Sequence, residues 1–226
     1  MMTSINHNNI SHINSLCSYV GAQAIGGNAN AVMQLYGYSH TESPPIIKTI
    51  SLLQENITSV EIENDSNRIY DDTFLYYLAM LNIGETSNLI FKDLDTAETC
   101  LNKIVQNIPQ ARARLAYIKL LETDEPSRSE SNVKRIDVLR KWAGKQDLFS
   151  RIAIARMAFY QFLTETQAEE FELPVKVFRL LEVPCQRNHP VAIRFYNEIL
   201  TQQGSEKALS MKLSESNIDH TILYDL

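Results

Sequence analysis

A nine-residue pattern recurs along this chain, and the recurrence constrains the fold more than any other feature. Ala113–Leu121 aligns without gaps on Ala155–Leu163 and on Ala192–Leu200, with fainter copies at Thr73–Leu81 and Ala31–Ser39. The start positions 31, 73, 113, 155 and 192 differ by 42, 40, 42 and 37 residues. Within each copy, offsets 0, 3, 4, 7 and 8 fall on one helix face. Those positions read Ala113, Ala116, Tyr117, Leu120 and Leu121 in the third copy, and Ala155, Ala158, Phe159, Phe162 and Leu163 in the fourth. In the fifth they read Ala192, Phe195, Tyr196, Ile199 and Leu200. Small residues open the stripe, so a neighbouring helix can approach closely, and bulky ones fill the space beside it.

Partner helices are expected between the copies, at Asp95–Gln106, Val133–Lys145 and Pro174–Val183, with weaker versions at Pro45–Glu55 and Ile10–Ile25. Short connections lead from partner into copy, at Asn107-Ile108-Pro109, Gln146-Asp147 and Asn188-His189-Pro190. Asn, Asp and Pro there suit helix starts. The opposite connections, Asn56–Asp71, Glu122–Asn132 and Thr164–Leu173, are longer and polar. A helix pair of this kind cannot cover its apolar face alone, whereas stacked neighbours build a continuous core. The expected fold is all-α, an α-α superhelix (solenoid) of about five helix-hairpin repeats. The expected organisation is a flexible tail over 1–9, a repeat domain over 10–203, and a capping helix with a tail over 204–226.

Gly27-Asn28-Ala29 followed by Ala31-Val32-Met33-Gln34-Leu35-Tyr36-Gly37 resembles the turn-into-helix segment of Sel-one-like repeats, a branch of the tetratricopeptide-like hairpins. Asp137-Val138-Leu139-Arg140-Lys141-Trp142 is similar to the opening of that family's second helix. The glycine-pair loop usual after the first helix is missing from every copy. The resemblance implies a non-enzymatic scaffold or adaptor that holds another protein, often in bacterial signalling, envelope or virulence systems.

Composition narrows the function classes. The net charge of −6 disfavours a protein that coats nucleic acid. No run approaches the length of an apolar membrane span, and three scattered cysteines make no disulfide framework, so a cytoplasmic address is expected. Met1–Thr41 carries no Asp, Glu, Lys or Arg, and the first charge is Glu42. The plain reading is a polar tail leading into a packed helix. The alternative is an export address, because uncharged Ser/Asn/Ile-rich N-termini resemble type III secretion signals, which would make the protein an exported effector.

Few residues suggest chemistry. His7 and His12 are five apart, off a common helix face, so with Cys17 they make a poor metal set, and no metal or cofactor is expected. His189 precedes Pro190 and reads as a turn residue. Gly26-Gly27 is followed by Asn28 where a phosphate loop requires Lys. Glu169, Glu170 and Glu172 read as a solvated loop, and Cys100 and Cys185 as packing residues. The chain is expected not to be an enzyme, an unrecognised hydrolase or transferase being the alternative.

The basic residues are unevenly placed. Residues 112–156 hold 11 of the 21 Lys and Arg against six acidic residues. Arg114 and Arg156 share an offset in the alignment, so stacking should set them side by side. With Lys119, Tyr160, Arg194 and Asn197 they form the expected partner-binding face, suited to another protein or an acidic peptide because guanidinium pairs carboxylate bidentately. Nucleic-acid binding through 112–156 is the competing reading, weakened by few aromatics and the nearby acidic Glu122–Glu130 loop.

Overall fold

The structure is a computed structural model that describes residues 17–41, 43–64, 70–84, 92–123, 129–159 and 175–202. Among these residues the regular elements are all helical. They are α1 (residues 17–25), α2 (Ala29–Tyr38), α3 (Pro44–Asn56), α4 (Ser59–Asn64), α5 (Asp72–Ile83), α6 (Leu94–Ile104), α7 (Ala111–Leu121), α8 (Glu130–Gly144), α9 (Leu148–Phe159), α10 (Val175–Gln186) and α11 (Pro190–Gln202). The chain divides into two compact units between Asn107 and Ile108, inside the stretch read from sequence as one repeat domain. The expected tails, 1–9 and 204–226, lie outside the described residues.

The copies fall on α2, α5, α7, α9 and α11, the fourth through residues 155–159 alone, since 160–163 lie outside the described residues. These helices begin at 29, 72, 111, 148 and 190, and the fourth copy is out of register with its helix start. Its alignment start, Ala155, lies seven residues into α9, whereas Ala113 and Ala192 each lie two residues into their helices. A five-residue displacement exceeds the one or two residues by which helix ends are ambiguous. The cause is the Ala-Arg-x-Ala string, which α9 carries near its end and α7 near its start.

In the first unit α5 is the hub. Every residue from Phe74 to Ile83 is buried, and α2, on one side, and α6, on another, pack against it. A helix apolar all round can only be an interior one. Asp71 opens it by accepting from the Thr73 N–H at 2.6 Å, and Gly84 closes it at φ 71°. Buried Asn82 is satisfied on both sides. Its Nδ2 donates to the Leu78 carbonyl at 2.9 Å and its Oδ1 accepts from Gln54 Nε2 at 3.0 Å. The Tyr36 and Tyr77 rings meet at 5.5 Å. Part of the polar stretch 56–71, read as loop, is the short helix α4, which packs on α6.

In the second unit α9 is the hub. It packs against α8 and α10 and touches α7 and α11. Nine of its residues, including Leu148, Phe149, Ile152 and Ala155, are buried. In α7 the expected stripe positions Ala113, Ala116, Tyr117 and Leu120 are buried, but the buried face is wider than the stripe. Arg114 and Ile118 are buried, while Leu121, the last stripe position, is 37% exposed. Helix α10 runs beyond the expected end at Val183 and carries Pro184 within its last turn.

One turn recurs in both units. At Gly27, Gln146 and Asn188 the backbone is left-handed, with φ 90°, 72° and 56°. In each case that residue's N–H bonds to the carbonyl three before it, namely Ala24, Ala143 and Cys185. The next N–H, of Asn28, Asp147 or His189, bonds to the carbonyl five before it, on Gln23, Trp142 or Pro184. This double closure ends one helix, and the following residue starts the next. Asn28 Oδ1 accepts from the Asn30 N–H at 3.0 Å, and Asp147 Oδ2 accepts from the Ser150 N–H at 2.9 Å. His189 is therefore placed in a turn, where its carbonyl accepts from the Ile193 N–H at 3.0 Å.

Candidate partner-binding site

Arg114 sits at the fourth position of α7, fully buried, and its Nη1 donates to Asp147 Oδ1 at 2.8 Å. The same carboxylate caps α9 through Ser150 N–H and also accepts from Ser150 Oγ. The guanidinium carbon lies 4.5 Å from the centre of the Phe149 ring, which stands perpendicular to the Tyr117 ring with centroids 5.3 Å apart. Arg114 thus ties α7 to the α8–α9 turn. Its burial removes it from the partner-binding face assigned to it from sequence, because a partner's carboxylate cannot reach it.

The remaining expected residues are scattered. Lys119 pairs with Glu122 at 3.0 Å, both about a third exposed. Arg156, Arg194 and Asn197 are half-buried, and Tyr160 lies outside the described residues. By helix position the counterpart of Arg114 on α9 is Arg151, the fourth residue of that helix, and not Arg156.

Arg151 leads to the cleft that the structure does form. Between α8, α9 and α10 is a cleft of about 350 Å³ lined by Arg140, Arg151 and Arg179, with Ala143, Gly144, Ile154 and Leu180 as the apolar remainder. Among the described residues, none of the expected partner-binding set lines it. Each cation comes from a different helix. Arg151 is anchored, its Nε donating to the Ala143 carbonyl at 3.2 Å and its Nη2 to Gln146 Oε1 at 3.0 Å. Arg140 Nη1 reaches Asp137 Oδ1 at 3.3 Å in an exposed pair, which holds the side chain only weakly. Arg179 is exposed. No carboxylate is present among the described lining residues, so the three cations raise a local positive potential in an acidic chain.

No family model, curated protein or solved structure matches this chain.

The sequence held one usable signal for this cleft, the basic surplus of 112–156, which contains Arg140 and Arg151. Arg179 lies outside that run and reaches the cleft only because α10 packs on α9. Elsewhere, burial pushes the Cys185 thiol up to about 11. It raises Cys100 further, helped by the charge of Asp93. Both side chains are buried and protonated at neutral pH, in keeping with packing roles. Among the described residues no helix is long and apolar enough to cross a membrane.

Proposed function

We propose that this chain is a non-enzymatic scaffold or adaptor, a degenerate array of about five helix hairpins of the Sel-one-like kind, that holds a partner protein at the cleft between α8, α9 and α10. The observation that carries this reading is the set of three arginines from three helices around apolar side chains. Arginine is weakly hydrated and planar, and it is enriched where one protein grips another. The recurrence of one turn at Gly27, Gln146 and Asn188 supports the repeat character, since repeats keep their joints while their faces diverge.

The test is affinity purification of the tagged chain from its native host, followed by reconstitution with each recovered protein in purified form. The expected result is a complex of fixed stoichiometry between purified components. A bound fraction consisting of nucleic acid, with no protein that rebinds, would overturn the reading.

A further inference from the structure

We infer that the Arg140–Arg151–Arg179 cleft takes one aliphatic side chain flanked by carboxylates, from an acidic segment of a partner protein, and that Gly144 keeps its entrance open. This rests on the scaffold reading and adds the chemistry of the occupant.

The cleft combines two features that select for different parts of a ligand. Ala143, Ile154 and Leu180 offer apolar surface that an aliphatic side chain would remove from water. Arg140, Arg151 and Arg179 stand around that surface, so carboxylates on either side of the inserted residue meet cations. Arg151 is held in place by the Ala143 carbonyl of α8 and by Gln146 of the following turn, which lowers the ordering cost of engaging a ligand. At about 350 Å³ the space lies at the small end of ligand sites, which run from roughly 300 to 1,000 Å³, and suits a side chain or two.

Gly144 closes α8 on the cleft wall, and a Cβ built there would meet no atom within 4 Å. No packing partner therefore requires glycine at this position, and its φ is not in the left-handed region. A larger residue would project into open space at the exposed edge of the cleft that Gly144 lines. Nucleic acid fits less well, because single strands bind on stacking aromatics and the described lining has none.

The inference is tested with the full chain by fluorescence anisotropy, using a labelled, acetylated peptide of alternating Glu and Leu as probe. Parallel probes carry Gln in place of Glu, or are a labelled oligothymidylate. Arg179→Gln should weaken the Glu/Leu peptide about tenfold without altering the thermal midpoint. Gly144→Leu should abolish measurable binding while leaving the midpoint unchanged or higher. The Gln peptide should bind far more weakly than the Glu peptide. Equal affinity of the Glu/Leu peptide for wild type and both variants, equal binding of the Gln peptide, or preference for the oligonucleotide would overturn the inference. A purified partner that binds wild type and both variants alike removes this cleft and leaves the scaffold reading standing. Peptide discrimination in a chain that binds no protein keeps the cleft and removes the scaffold.

Discussion

Arg114 on α7 and Asp147 at the start of α9 form an ion pair at 2.8 Å, the first side chain fully buried and the second 6% exposed. The pair joins positions 33 residues apart, and its carboxylate also caps a helix. A guanidinium withdrawn this far from water is tolerable only with its partner in place, because the desolvation cost is otherwise unmet.

Breaking the pair from one side should therefore be severe. Arg114→Met, which leaves the carboxylate buried, should destabilise the second unit by about 3 to 5 kcal/mol. Asp147→Ser keeps a capping oxygen but strands the cation, and should cost a similar amount. Together the two changes should cost less than their sum by at least about 1 kcal/mol, since neither charge is then left alone. Urea unfolding of the four proteins checks this; additive losses would mean that the pair contributes little.

The recurring turn gives opposite expectations at two of its sites. Gly27 stands at φ 90°, where a Cβ is strained, so Gly27→Ala should lower stability by about 1 kcal/mol. Gln146 occupies the same position at φ 72° with a side chain, so Gln146→Gly should relieve strain. It forfeits only the partly exposed bond to Arg151, and the net change should be neutral or favourable by a few tenths of a kcal/mol. Denaturant midpoints of the two variants, read against wild type, report the difference in sign.

Thiol reactivity should follow burial. The thiolate is the attacking form, so a raised pKa lowers its fraction at a given pH. At about pH 8, iodoacetamide should modify half-buried Cys17 well before Cys185, and Cys185 before Cys100. The Cys185 rate in the folded protein should climb about tenfold per pH unit until its pKa of about 11 is approached. Peptide mapping by mass spectrometry follows all three sites; simultaneous modification at about pH 8 would contradict the buried placement of Cys100 and Cys185.

Helices were easier to read from the sequence than what their side chains touch. The copies at 31, 73, 113 and 192 each lie near the start of a helix because spacing of small and bulky residues is a local property. Asp147 was recognisable as a starter for the same reason. Arg114 was not legible as a core residue, because the group that satisfies it lies 33 positions away across a packing contact. The alignment also paired it with Arg156, when helix position pairs it with Arg151, since a string match weighs residue identity and ignores where the preceding turn ends. Leu121 was assigned to a buried face on pattern alone and stands 37% exposed. Arg179 could be placed at the cleft only once α10 was packed on α9.

The second unit thus holds one inner arginine, Arg114, that ties its helices together and three outer ones that face a cleft. Side-chain Nε–Hε spectra of the arginine-labelled protein, recorded as the Glu/Leu peptide is added, address this separation most directly. Resonances of Arg140, Arg151 and Arg179 should shift together while that of Arg114 stays fixed. Movement of Arg114 with the three cleft arginines unmoved would contradict it.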